Sequence, residues 1–417
     1  MPGPAPGRGN SRGKERQAQL DALGWLIFLV ALLVSVMLHE TGHFVTAKRF
    51  GMKCTRYFIG FGPTIWSTWR GETEYGIKAL PLGGFVKIVG MTSLDEVEPE
   101  DEARSFRRAP GWQRLIVLAA GSFMHFVIAA VLIFGLALGI GAAVANVNSN
   151  QLGSVGACVP ATKADLLNGA ACTSNEAKSP ALLAGLQVGD QVTSFDGSPV
   201  SSYTQLKADV LKVKPGTPVT LTVNRNGHAL TLRTKLAGVP GYGSYIGIGP
   251  AYYYQRQSPL TAIKDVGSGF SQIVTGSVSA LGQLPAAIPD LFKPNRSQTA
   301  AGNVSSVVGA ARATGQTVAS DEGWRTKVET VLLLIASLNV FVGLFNLLPL
   351  LPLDGGHIAV VIWERIRAWF ARLSHRPDPG LVDYRKLVPL SFGVFLVLVV
   401  FGVMLIAADI INPVSIS

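Results

Sequence analysis

The chain has 417 residues, of which 48% are hydrophobic and only 15% are charged, against about 25% charged residues in ordinary soluble domains. This deficit and the mean hydropathy of +0.35 exclude a typical soluble protein. The net charge of +10 would fit a nucleic-acid-binding protein, but seventeen of the 36 Lys and Arg lie in two short loops, residues 48–114 and 359–388. Positive charge in short loops marks the cytoplasmic side of a membrane protein, so we expect no nucleic-acid partner.

Four apolar segments are long enough to cross a bilayer, which takes roughly 20 residues. They are residues 23–47, 115–144, 328–353 and 387–408. The first is too long for a cleaved signal peptide and lacks its small-residue cleavage site. With both basic loops in the cytoplasm, residues 146–327 lie outside. The basic N-terminal tail opposes this orientation, because four spans also place the tail outside. The two loops, however, contain more Lys and Arg than the tail does.

The tail, residues 1–22, is rich in Gly, Pro and charge and is expected to be disordered. The first two spans and their loop (23–145) follow. Near the end of the first span, His39, Glu40 and His43 form an HExxH motif. On a helix this spacing puts both imidazoles on one face, as in a zinc pair, with the glutamate as general base. The alternative is a pair of core histidines beside a snorkelling acid, but ionisable residues at membrane depth cost roughly 2.5–3.5 kcal/mol or more and mark functional sites.

The loop after the first span reads "YFIGFGPTIWSTWR" and then "TEYGIKALPLGGFVKIVGM", with Gly71-Glu72 between the two runs. Alternating aromatic and β-branched residues bounded by glycines predict a hairpin or small sheet. The loop is unusually apolar for a cytoplasmic segment, which indicates that it dips into the bilayer. Such a loop is tolerated only if its backbone is paired or faces a cavity.

The outer segment begins with residues 146–178, which contain Cys158 and Cys172; the third cysteine, Cys54, lies on the predicted cytoplasmic side. Since disulfides persist only in oxidising compartments, we predict a Cys158–Cys172 bridge, with two unpaired thiols as the alternative. Residues 250–327 then carry loosely amphipathic helical stretches, which could lie on the outer membrane surface.

Between these segments, residues 179–249 combine strand-like runs with Gly-Asp turns, a helix with a Ser start in "SSYTQLKADVLKV", and a hairpin about Asn226-Gly227. This order resembles a bacterial PDZ domain over about residues 179–236. The predicted fold is therefore an α-helical integral membrane protein with four transmembrane helices, a membrane-associated β-hairpin loop and an inserted extracytoplasmic PDZ domain. Such a domain could exclude partners with bulky outer domains, which we favour, or bind newly cut ends.

The last two spans, within residues 328–411, contain "NLLPLLPLDGGHIAV". A catalytic zinc site commonly has three protein ligands and one open position, and Asp354 is the candidate third ligand. Asp354 sits at the end of the third span, just as HExxH sits at the end of the first, and in a four-span protein these spans run in the same direction. Their ends therefore meet at one depth, which predicts a Zn²⁺ site of His39, His43 and Asp354. An interfacial turn acid is the alternative for Asp354 alone.

HETGH, the PDZ-like insert and N-x-L-P-x-x-P-L-D-G-G together resemble the site-2 protease family, in particular bacterial four-span members of the regulator of sigma-E protease type, over about residues 23–406. The resemblance implies an intramembrane zinc metalloprotease in the cell membrane, with its active site near the cytoplasmic side. Its substrates would be single-pass membrane proteins, typically anti-sigma factors already cut by a site-1 protease. Glu40 would be the general base, and Asn346 would hold the substrate backbone or the oxyanion. The loop sheet would pair with substrate along its edge.

One departure from the family lies in the second span, where Gly-Pro-x-x-Asn-Phe is usual and this chain has Ser122 and His125 instead of Pro and Asn. We favour a hydrogen-bonding role for His125 over one in the active site, and an interfacial role for His357 over support of the metal. A membrane-anchored PDZ adaptor with a structural or absent metal is the alternative function. A transporter is disfavoured, because the chain halves show no internal repeat.

Overall fold

The computed structural model describes residues 9–92, 95–168, 172, 176–293, 296, 301 and 304–413. The helices are α1 (Gly9–Arg49), α2 (Gly111–Gly139), α3 (Lys163–Asn168), α4 (Pro180–Ala184), α5 (Tyr203–Lys212), α6 (Pro259–Ala287), α7 (Val307–Ala319), α8 (Trp324–Asn346), α9 (Asp354–Leu373) and α10 (Val388–Ile411). The strands are β1 (Cys54–Arg70), β2 (Thr73–Ile88), β3 (Ala142–Ala145), β4 (Leu152–Val155), β5 (Gln191–Phe195), β6 (Ser198–Pro199), β7 (Pro218–Arg225), β8 (His228–Lys235), β9 (Ala237–Val239), β10 (Gly243–Tyr245), β11 (Ile248–Pro250) and β12 (Tyr252–Gln255). The chain divides into two compact units, Leu138–Ser258 and the remainder.

Four helices are long and apolar enough to cross a membrane, as predicted: Glu15–Arg49 within α1, then α2, α8 and α10. The third differs from its predicted range, because α8 ends at Asn346. Pro349 and Pro352 follow it, and proline lacks the N–H that a continuing helix needs. Asp354 therefore begins a new helix, α9, instead of ending the third span.

Helix α1 begins at Gly9, inside the tail that we expected to be disordered. The prolines that led to this expectation occupy positions 2, 4 and 6, outside the described residues, whereas residues 14–20 are mostly good helix formers. Gln17 also donates a hydrogen bond from Nε2 to the carbonyl of Ala319 in α7, at 3.5 Å. Helix propensity and packing against α7 thus extend the first helix beyond its apolar part.

Strands β1 and β2 form the predicted hairpin, with its turn at Gly71-Glu72. Both strands bend, so that residues 54–59 of β1 pair with residues 84–88 as well as with residues 74–77 of β2. Residues 84–88 pair with no second strand in the described part of the chain, and so form an edge of this sheet. Tyr57 fixes the sheet to α1, because its hydroxyl lies 2.9 Å from Thr41 Oγ1.

Ion pairs connect the turn of this hairpin to the end of α1. Glu72 accepts hydrogen bonds from Arg104 Nη1 at 2.6 Å and from Lys48 Nζ at 2.5 Å. The hydrogen bonds from Arg104, followed by those from Lys48, hold the pKa of Glu72 at about 2. The carboxylate therefore stays ionised, and keeps both partners, at any pH near neutrality.

The Leu138–Ser258 unit contains an antiparallel sheet of order β6-β5-β7-β8. The predicted hairpin is confirmed, since Asn226 and Gly227 have the positive φ values, 52° and 87°, that a type I′ turn requires. The predicted helix start is also confirmed, because the Ser202 side chain accepts from the N–H of Gln205 at the beginning of α5. Apolar residues from the strands and α5 form one buried core in this unit.

The predicted disulfide is confirmed, because Cys158 and Cys172 are bonded, while Cys54 is free and buried. The predicted amphipathic segment, residues 250–327, contains the long helix α6. Helix α6 packs its apolar side, including Val266 and Phe270, against α2 and α8. Part of its apolar surface is thus covered by two spanning helices of its own unit, while Leu260, Ile263 and Val278 are exposed.

Candidate metal centre

His39, His43 and Asp354 are brought together, although 311 positions separate His43 from Asp354 in sequence. His39 and His43 lie one turn apart on α1, and Asp354 is the first residue of α9. The Nε2 atoms of the two histidines are 3.1 Å apart, and each lies 3.3 Å from Asp354 Oδ2. Three potential ligand atoms therefore form a nearly equilateral triangle.

The triangle has the size of one face of a tetrahedral zinc site. With bonds of about 2.0–2.1 Å to nitrogen and oxygen, the edges of such a tetrahedron are about 3.3–3.4 Å long. The three edges here measure 3.1, 3.3 and 3.3 Å. Two imidazoles and one carboxylate are also a usual donor set for catalytic zinc. The residues present fit a zinc ion whose fourth position is left to water or substrate.

The orientation of His43 is set by its second ring nitrogen. His43 Nδ1 lies 2.7 Å from the carbonyl oxygen of Val117 in α2. A carbonyl accepts but does not donate, so Nδ1 carries the proton and the Nε2 lone pair is free for a metal. His39 Nδ1, by contrast, is buried and has no hydrogen-bond partner in the described part of the chain.

Gly121 of α2 lies against both imidazoles. A Cβ atom at this position would lie 2.2 Å from His43 Nε2 and 2.7 Å from His39 Cε1. Neither distance is sterically possible, so only glycine lets α2 approach the histidines this closely. Gly121 is the glycine that opens the second-span motif in which Ser122 and His125 replace Pro and Asn, and the sequence alone predicts no role for it.

Gly121→Ala is therefore expected to weaken zinc binding by at least about tenfold, the effect typical of disturbing the surroundings of a metal ligand. Gly135→Ala is the matched control, since it adds the same methyl group to α2 where nothing lies within 4 Å. Competition with a chelator measures both variants. Equal zinc affinities for Gly121→Ala and wild type would contradict this role.

Glu40 points toward the sheet edge instead of joining the triangle. The backbone of Val86 hydrogen-bonds its carboxyl group, and a Cβ atom on Gly84 would lie 3.4 Å from Glu40 Cγ. Both residues belong to the edge segment 84–88. The Glu40 side chain thus contacts the edge of this sheet, along which an extended peptide could pair.

His125 is buried beside the triangle. Its ring centroid lies 5.0 Å from that of His39, and its Nδ1 lies 2.8 Å from Oδ1 of Asn339 in α8. Asn339 Nδ2 donates to the carbonyl of Ile335, which fixes the amide orientation. His125 Nδ1 must then be the donor. Sequence reasoning missed Asn339; its only signal was an amide within an apolar span.

The remaining candidates lie at the ends of α8 and α9. Asn346 is half-buried at the last residue of α8, and its amide makes no hydrogen bond within the described part of the chain. His357 is in the first turn of α9, with Nδ1 3.3 Å from the Tyr384 hydroxyl. In the described part of the chain, the His357 ring thus contacts Tyr384 and not a member of the triangle.

Comparison with known proteins agrees with this chemistry. Residues 27–375 match the family described as Peptidase family M50. Zinc metalloprotease Rip1 of Mycolicibacterium smegmatis is 36% identical, in an alignment that covers 94% of this chain and 98% of the relative. The protein of the same name from Mycobacterium tuberculosis is 35% identical, with the same coverage of both chains. Among solved structures, the PDZ domain of an SdrC-like protein from Listeria monocytogenes aligns with 23% of this chain and 86% of its own, at 22% identity and a TM-score of 0.16.

Proposed function

The chain belongs to peptidase family M50, and on that basis we propose which of its residues perform the reaction and on what substrate. It is a zinc metalloprotease of the site-2 type, which performs intramembrane proteolysis, and a multi-pass membrane protein. The residue roles rest on a single observation, the triangle of His39, His43 and Asp354 with Glu40 beside it.

In this proposal His39, His43 and Asp354 hold one zinc ion through Nε2, Nε2 and a carboxylate oxygen. When bound, zinc supplies a Lewis acid that polarises the scissile carbonyl and acidifies a water molecule. Glu40 removes a proton from the attacking water and delivers it to the leaving amine. Burial of the centre excludes bulk water, which strengthens these electrostatic interactions.

The proposed substrates are single-pass membrane proteins of the anti-sigma type, already shortened by a site-1 protease. A transmembrane helix hides its amides in its own hydrogen bonds, so it must be extended before it can be cut. The edge segment 84–88, next to Glu40, can pair with an extended segment by strand addition. We place the site near the cytoplasmic side and residues 179–249, as a PDZ domain, outside the cell.

Asn346 is proposed to hold the substrate backbone or the developing oxyanion. Its amide has no partner within the described chain and lies eight residues before Asp354. Asn346→Ala is expected to lower the cleavage rate by on the order of 10²-fold, the usual cost of losing an oxyanion donor, while zinc content stays unchanged. Turnover at the wild-type rate would remove Asn346 from the site.

The function is tested with the purified full-length protein and a panel of single-pass membrane proteins, each in full-length and shortened form. We expect zinc-dependent cleavage within the transmembrane segment of at least one shortened protein, abolished by chelation and restored by zinc. A zinc-loaded, folded protein that binds the shortened proteins without cutting any of them would favour the PDZ adaptor instead.

A further inference from the structure

Helix α9 carries a stripe of exposed apolar side chains. The stripe consists of Ile362, Trp363, Ile366, Trp369, Phe370 and Leu373, each between 40% and 66% exposed. At 100° per residue these positions cover a sector of about 120° on the helix surface. The chemistry proposed above uses only the first residue of α9, so the stripe has no part in it.

The opposite side of α9 is held by the fold, which fixes the direction that the stripe faces. Glu364 accepts a hydrogen bond from Arg114 of α2 at 2.9 Å, and both side chains are less than 9% exposed. Val361 is 1% exposed in the same core cluster as Val117 of α2. Since α9 cannot rotate without breaking this buried ion pair, the stripe faces away from the protein.

Arginines flank the stripe. Arg365 and Arg372 lie along one edge and Arg367 along the other, and Arg376 follows just after the helix end. Arg365 and Arg372 are exposed. Tryptophan and phenylalanine on one face, with arginines at its margins, are the composition of helices that lie in the membrane interface.

The connections of α9 place it at that interface. It follows α8 after seven residues and precedes α10 by fourteen, and both of these helices can span a membrane. Successive spans return the chain to one membrane face, so both ends of α9 are tethered there. Trp112, 56% exposed at the start of α2, lies beside it, because Arg365 packs against Gly111. These observations favour the lipid surface as the partner that covers the stripe.

We propose that α9 is an interfacial helix that inserts its apolar stripe into the bilayer and binds anionic phospholipid headgroups through the exposed Arg365, Arg372 and Arg376, and that this binding holds Asp354 in the metal centre. The coupling to Asp354, which opens α9, rests on the zinc-ligand role proposed above; the lipid contact does not. Each arginine near an anionic surface is worth about 1 kcal/mol, or about fivefold in binding.

The lipid contact is tested with a spin label on the full-length protein in vesicles of phosphatidylcholine and phosphatidylglycerol. Cys54 is buried and the other two cysteines are bonded, so a cysteine introduced by Ile366→Cys carries the label. We expect it to be more accessible to oxygen than to a water-soluble nickel chelate. Arg233→Cys, an exposed position in the other unit, is the control and should show the reverse.

Two results of the labelling experiment would overturn the proposal. Greater accessibility of the Ile366→Cys label to the nickel chelate would place the stripe in water. A label that is immobile and shielded from both reagents would show that protein, from a partner or a second copy, covers the stripe.

The coupling to the metal is tested by zinc affinity, measured by chelator competition in vesicles with and without phosphatidylglycerol. We expect wild type to bind zinc at least about fivefold more tightly with the anionic lipid, the worth of one contact between an arginine and a headgroup, and the double variant Arg372→Glu, Arg376→Glu to lose this difference. Arg233→Glu, the control for the charge reversal, should retain it. Equal wild-type zinc affinities in both lipids would overturn the coupling. Failure to bind zinc in either lipid would overturn the proposed metal site, and the labelling result alone would then decide the lipid contact.

Discussion

Glu40→Gln is expected to lower the cleavage rate by roughly 10²–10⁴-fold, the contribution of a general acid–base group, while zinc content stays at the wild-type level. Glutamine keeps the size and hydrogen bonding of the side chain but cannot accept a proton from water. Glu40 does not belong to the ligand triangle, so the variant separates proton transfer from metal binding. Metal analysis and a cleavage assay on the same preparation measure both effects.

The control for this change is Glu98→Gln. It removes an exposed carboxylate in the loop between α1 and α2, well separated in sequence from HExxH, and should leave both measurements unchanged. Two findings would contradict the assignment of Glu40. Cleavage by Glu40→Gln at the wild-type rate would exclude it as the base. Loss of zinc together with activity would instead give it a part in metal binding.

The parts of this centre that sequence predicts are those fixed by local periodicity or by the direction of a span. HExxH needs only 3.6 residues per turn to place His39 and His43 on one face. For Asp354, the alternation of spans is enough to predict that it lies on the same side of the membrane as the histidines, although it begins α9 instead of ending the third span. Neither inference depends on how side chains pack between distant helices, and the structure brings all three residues together.

The parts that sequence does not predict depend on such packing. A glycine in an apolar span carries no sign that two imidazoles will lie where its Cβ would be, as at Gly121. Likewise the pairing of His125 with Asn339 joins positions 214 residues apart. The bends of β1 and β2, which create the free edge 84–88, depend on register. Register is weakly specified in glycine-rich strands such as these.

Asp354→Ala is expected to lose both zinc and cleavage. The variant removes one vertex of the triangle and leaves two imidazoles, fewer than the three protein ligands of a catalytic zinc site. Its loss of zinc affinity should exceed the roughly 10–100-fold that follows from removing an outer partner of a ligand. Asp321→Ala, which removes an exposed carboxylate just before α8, is the control and should behave as wild type in the same chelator competition.

Tight zinc in Asp354→Ala, undiminished from wild type, would refute the three-ligand assignment and would point to His125. Its ring is 5.0 Å from that of His39, near enough for a modest shift to bring a nitrogen to the metal. Adding His125→Asn to the Asp354 variant separates the two cases. If Asp354 is the third ligand, zinc is already lost and the second change has no further effect. If His125 is the third ligand instead, Asp354→Ala still binds zinc, and zinc is lost only when His125→Asn is added.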